Sequence, residues 1–127
     1  MALVVKALML DRLQTRSTWV LTSRTALFAA VVPEPRIRYV VAIWIEGNVQ
    51  QSLDLKFEKL KEDGTYEEKW SPIPVAPSNF IQIPEGSYSV EDPVVTFEGG
   101  TNFYGKVGGA EGVSINVTVN YWDSEIF

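Results

Sequence analysis

Residues 113–121 alternate without a break: Val113, Ile115, Val117, Val119 and Tyr121 fall on one parity, and Ser114, Asn116, Thr118 and Asn120 on the other. Successive side chains of an extended chain point to opposite faces, so this period of two dictates a β-strand with one buried and one wet face. The wet face has three candidate uses: a ligand platform, a subunit contact, or plain solvated surface.

The same patterning recurs upstream. "RIRYVVAIWIEGN" places Ile37, Tyr39, Val41, Ile43 and Ile45 on one parity and Arg38, Val40, Ala42, Trp44 and Glu46 on the other. Both faces are partly apolar, which suits a central strand ended by Gly47-Asn48. "SLDLKFEKL" alternates again, with Leu53, Leu55 and Phe57 expected inward, and Asp63-Gly64 then signals a hairpin. A helix over "DLKFEKLKED" is the rival, because Glu and Lys favour helices and opposite charges sit at helical spacing. Pro72, Pro74, Pro77 and Pro84 make the next stretch an edge or an extended crossing, since proline cannot donate to a central ladder. "STWVLT", "TALFAAVV", "PVVTFEGG" and "NFYGKVGG" add further strands, with Pro33-Glu34-Pro35 as a turn. Val113, Ile115, Val117 and Val119 are expected to form an inward row on a strand paired with "NFYGKV". Many short strands divided by Gly and Pro read as an all-β, antiparallel β-sandwich, jelly-roll or Ig-like. At 127 residues the chain reads as one such domain, residues 1–127.

Residues 1–20 stand apart: they read either as an N-terminal arm or extra strand laid against a neighbouring subunit or particle, or as the completion of this chain's own core. Leu3, Val4, Val5, Leu8, Met9 and Leu10 would form a large apolar patch if all were exposed, and residues 2–13 fit helix or strand equally. The run is too short to span a bilayer and is interrupted by Lys6, so it reads as mature protein, and no membrane partner is expected.

The residue inventory narrows the chemistry. There is no cysteine and no histidine, which removes thiol nucleophiles, Ser–His triads and imidazole or thiolate metal sites. The net charge of −5, without a basic stripe, disfavours nucleic acid. Glu67, Glu68, Glu91, Asp92, Asp123 and Glu125 show no spacing that commits a carboxylate to acid–base work. "VEDP" and "FEGGTN" could offer oxygens to calcium, but turn formation explains them equally well. Asn116-Val117-Thr118 matches a glycosylation acceptor, yet the strand alternation already accounts for both polar residues. The glycines of "GGTN" and "GKVGG" lack the setting of a phosphate loop and read as turns. The expectation is no catalytic site, no metal and no cofactor.

Trp19, Trp44, Trp70, Tyr88, Tyr104 and Trp122 could build a carbohydrate platform, although most aromatics in a small sandwich anchor its core. Parity sends Trp44 and Trp122 to the face opposite the aliphatic rows, where aromatics more often mark a protein interface than a sugar site.

From Ser23 to Asp123 the chain resembles the small single-domain β-sandwich virion proteins of tailed bacteriophages and related viruses, which decorate heads or fit into tails. The likeness lies in "TSRTALFAAVV" as an opening strand, in "IRYVVAIWIEGN" closed by Asn48, and in "SNFIQIPEGSYSVEDPVVTFEGG" leading to a penultimate strand. "NFYGKVGGAEGVSINVTVNYWD" is similar to their paired last strands. Gly99, Gly100, Thr101 and Asn102 depart from the Gly-Asp often found before the penultimate strand. The resemblance implies a non-enzymatic structural protein located in the virion, a capsid decoration or tail/appendage subunit. Its expected partners are itself, as a homo-oligomer with a trimer among the options, and other virion proteins. Leu3, Val5, Leu8, Leu10, Trp44 and Trp122 are the expected partner contacts. A carbohydrate-binding sandwich module that takes a glycan is the alternative.

Overall fold

The computed structural model describes residues 13–28, 37–61, 63–98, 102–109 and 112–123. Leu3, Val4, Val5, Leu8, Met9 and Leu10, the Pro33–Pro35 turn, Gly99–Thr101 and Glu125 lie outside the described residues. Among the described residues ten strands make two antiparallel sheets: β1 (Gln14–Val20), β2 (Thr25–Ala26), β3 (Ile37–Glu46), β4 (Leu53–Leu60), β5 (Tyr66–Glu68), β6 (Ile73–Val75), β7 (Phe80–Ile83), β8 (Val95–Glu98), β9 (Asn102–Gly108) and β10 (Ile115–Asp123). Sheet A runs β1-β10-β3, and β7 and β8 share the far edge of β3. Sheet B runs β2-β9-β4, and β5 and β6 share the far edge of β4. The protein is an all-β sandwich.

Period-two burial makes the core. Leu53, Leu55 and Phe57 on β4, Phe103 and Val107 on β9, and Ile115, Val117 and Val119 on β10 all point inward and are buried. The Asp63-Gly64 turn closes the β4–β5 hairpin, with Gly64 at φ +85°. There Thr65 donates its hydroxyl and its amide to the Asp63 carboxylate, which holds that carboxyl below its ordinary pKa. The helical alternative for this stretch is thereby replaced by strand. Among the described residues of "TALFAAVV", Thr25–Ala26 is strand, and Leu27 and Phe28 follow it into the core.

Two expectations change. β10 does not pair with β9. It lies between β1 and β3 in sheet A, while β9 lies between β2 and β4 in sheet B. The glycine-bearing connection, with Gly112 at φ +92°, carries the chain across the sandwich instead of closing a hairpin. The inward row survives because both strands face the same core from opposite sides. The second change is in β3, whose single parity is broken. The register against β10 slips between Asn120, opposite Ala42, and Tyr121, opposite Val40, so Val41 is a bulged residue. Val40 therefore joins Ile43 and Ile45 in the core, and Arg38 turns inward with it.

That inward arginine closes one end of the core. Arg38 makes two hydrogen bonds to the Asp123 carboxylate, at 2.7 and 2.9 Å, and lies 4.5 Å from the ring centre of Phe28 and 4.9 Å from that of Tyr121.

The proline-rich stretch crosses between the sheets, as its composition requires. β6 edges sheet B and β7 edges sheet A. The turn between them is tied to the end of β3: Gly47 N donates to Asn79 O at 2.7 Å, and Ser78 N donates to Gly47 O at 2.8 Å. Gly47 is buried rather than part of an open turn, because the two backbones touch there.

A Cβ on Gly47 would sit 2.5 Å from Ala76 O and 2.7 Å from Asn79 O, both backbone atoms with no rotamer to yield. Gly47→Ala should therefore cost about 3 kcal/mol in denaturant unfolding, the upper end of overpacking costs. A loss of less than about 1 kcal/mol would mean that the crossing can move aside. On β10, Val117→Ala should cost about 1–3 kcal/mol through lost burial and a residual cavity, and Thr118→Ala well under that. Equal costs at the two positions would contradict the register.

Candidate functional site

The pairing of sheet A fixes what its outer face displays. One cross-strand row reads Trp19, Asn116, Glu46, Phe80, and the next reads Ser17, Thr118, Trp44, Gln82. A third joins Thr15, Asn120 and Ala42, and beyond the bulge a fourth joins Trp122, Tyr39 and Thr96. Side chains opposite one another on one face are in reach, so each row is a contact unit.

Most of these groups are tied to their neighbours. Trp44 Nε1 donates to Gln82 Oε1 at 3.0 Å, and the Tyr88 ring meets the Trp44 indole edge-on at 5.5 Å. Gln82 in turn donates to the carbonyls of Pro84 and Gly86, which folds the start of the β7–β8 connection over this edge. Ser17 and Thr118 share a hydroxyl hydrogen bond of 2.7 Å, and Asn120 Nδ2 donates to Thr15 Oγ1 at 3.2 Å. Trp122 stacks on Tyr39 at 4.4 Å with 14° between the rings. Two buried atoms on this face, Asn120 Oδ1 and Trp122 Nε1, have no hydrogen-bond partner among the described residues.

Trp44 and Trp122 thus stand on the outer face, as parity requires, but both are half-buried. Trp19 at 53% and Phe80 at 62% exposure are the freer aromatics, and both belong to one row. Phe80 was readable from the alternation Phe80-Ile81-Gln82-Ile83, which sends the two isoleucines inward. No local pattern, however, joins Phe80 to Trp19. The other aromatics do not share the platform. Trp70 packs on Phe57 and Phe103 inside the sandwich, and Tyr104 meets Tyr66 on the outer face of sheet B, beside the Arg24–Glu58 ion pair.

The carboxylates are dispersed. Glu67 and Glu68 lie on edge strand β5, Glu91 and Asp92 on the β7–β8 connection, and Asp123 is held by Arg38. The four rows named above contain one acid, Glu46. Among the described residues no three acids gather into a cation site. At one end of the sandwich Asn48, Gln50, Gln51 and Ser114, with Val49 and Val113, line an open pocket of about 600 Å³. It is rich in amides, and none of its lining among the described residues is ionisable. Such a lining can bind a neutral ligand, but it has no group of its own to move a proton.

No protein-family model matches the sequence, and no curated protein matches it. A solved chain from "Structure of infectious bursal disease virus Gt strain" is similar at 12% identity and a TM-score of 0.39, over 88% of this chain and 31% of that one. The protein therefore spans about a third of the length of that chain. Likeness at this level assigns no function.

Proposed function

We propose that this chain is a non-enzymatic virion structural subunit, a capsid decoration or tail/appendage protein, that works through protein–protein contacts on the outer face of sheet A. The sequence likeness to small phage virion proteins supplies the setting. The observation that carries the reading is the row Trp19–Asn116–Glu46–Phe80, which holds two large aromatics in water at the rim of a face otherwise knit together by hydrogen bonds. Aromatic anchors inside a polar frame with little charge are the composition of interface cores. Trp44 stands in the next row and Trp122 in the fourth, both half-buried on the same face. The partners are further copies of this chain and neighbouring virion proteins, and Leu3, Val5, Leu8 and Leu10 add an apolar arm to the contact.

Changing Trp19 and Phe80 together to Ser tests this. Both side chains are mostly exposed, so stability should change by less than about 1 kcal/mol, while sedimentation shifts to a smaller species and incorporation into particles fails. Unaltered assembly by the double variant would overturn the reading.

A carbohydrate-binding module is the second reading, favoured by the amide-rich pocket at Asn48, Gln50, Gln51 and Ser114. It requires binding on an array of neutral glycans that Gln50→Ala with Gln51→Ala abolishes. An array without signal removes it.

A further inference from the structure

We infer that β1 is a docking edge for a second copy of this chain, pairing antiparallel with the partner's β1 about a two-fold axis at Ser17. This inference rests on the assembly reading and names one of its contacts.

The other sheet edges are short, charged or stopped by proline. In sheet B, β2 is two residues long, β5 is three residues with two adjacent glutamates, and β6 is three residues with a central proline. In sheet A, β7 and β8 are four residues each, and β7 runs directly into Pro84. Brevity, charge and proline are the devices by which sheets avoid joining other sheets. β1 is neither short nor interrupted by proline. It is seven residues long, reads Gln-Thr-Arg-Ser-Thr-Trp-Val, and among the described residues pairs with β10 alone. Its single charge, Arg16, faces inward opposite Val119, and its Nε reaches along its own strand to Thr18 Oγ1 at 3.4 Å. Two of the most exposed large apolar side chains, Trp19 and Leu21, lie on and just beyond this strand.

The strand is also self-complementary. Two antiparallel copies match inward with inward residues only when the axis passes through a residue, not between two. An axis at Ser17 is the one choice that pairs all seven residues. Thr15 then faces the partner's Trp19 on the outer side, a β-branched and aromatic pair of the kind that stabilises sheets. On the inner side Arg16 faces the partner's Thr18, and Gln14 faces the partner's Val20. An axis at Arg16 would instead oppose two like charges. The contact is isologous, so it closes at two copies, and sheet A continues through both of them. It also joins the two outer faces, with each Trp19 laid across the seam. Larger assemblies then form through the joined face.

The absence of cysteine gives a clean test. Ser17 is exposed, and Ser17→Cys adds a single thiol. Opposed residues of an antiparallel pair have Cα atoms about 4.5–5.5 Å apart, inside the range that a disulfide spans. Mild oxidation should convert most of the folded Ser17→Cys protein to a covalent dimer that dithiothreitol reverses. Gln14→Cys, whose expected partner is Val20, should cross-link at least about tenfold more slowly, since the two thiols would lie several residues apart across the seam. Sedimentation of the unaltered chain completes the experiment, with a dimer expected. Self-association of that chain without preferential cross-linking at Ser17 would overturn the β1 pairing and leave the assembly reading standing. A chain that stays monomeric would overturn the pairing and the homo-oligomeric part of the proposed function together.

Discussion

A continuous series of aromatic rings runs through the sandwich, and both sheets are positioned by it. Phe57 stacks on Phe103 at 5.4 Å, Phe103 meets Phe97 at 4.9 Å, Phe97 meets Phe28 at 6.1 Å, and Phe28 meets Tyr121 edge-on at 4.8 Å. Phe57 and Phe103 belong to sheet B, Phe97 and Tyr121 to sheet A, so the series crosses the space between the layers. Each aromatic pair contributes about 0.5–1.5 kcal/mol beyond simple burial, and rings cannot slide without losing several neighbours at once. At the Phe28 and Tyr121 end the series meets Arg38. The guanidinium lies near both rings and is neutralised by Asp123, whose side chain is 14% exposed against 11% for Arg38. Replacing one member would leave the other charge in a poorly hydrated place, which costs more than the pair gains by existing.

Arg38 reaches that position only because β3 bulges. Without the extra residue at Val41, the parity that sends Ile43 and Ile45 inward would send Arg38 to the outer face and Tyr39 into the core. The same slip aligns Tyr39 with Trp122 on the outside and continues the outer rows past Ala42. One irregularity in the central strand thus sets both the seal of the core and the shape of the face proposed for contacts. Bulges re-aim side chains in this way at the cost of one unpaired residue.

Much of the sandwich is legible in the sequence, for local reasons. Leu53, Leu55 and Phe57, and Ile115, Val117 and Val119, each sit between polar residues, so only one face can be buried. Asp63-Gly64 names its own turn, and the prolines at 72–84 can serve only at edges. What the sequence conceals is long-range or symmetric. Val40, Val41, Ala42 and Ile43 are all apolar, so a one-residue slip leaves no mark in the pattern. Sequential strands usually neighbour one another, which favours a β9–β10 hairpin, but β10 crosses to the other sheet and pairs with β1 and β3 instead. The candidate face suffers doubly. Trp19 and Phe80 are brought into one row by β10 and β3 lying between their strands, a relation that no window of sequence contains.

The core and the outer face of sheet A depend on each other in one direction only. Ile115, Val117 and Val119 fix where Asn116, Thr118 and Asn120 stand, because alternate residues share one backbone. The outer residues contribute hydrogen bonds among hydroxyls and amides that water could replace at small net cost. Substitutions on the outer rows can therefore change the proposed contact face while the sandwich stays folded, whereas a core substitution disturbs both. A protein whose work is contact gains from that asymmetry. It keeps one rigid frame, and the rows from Trp19 to Phe80 and from Ser17 to Gln82 can be matched to a partner independently of the packing beneath them.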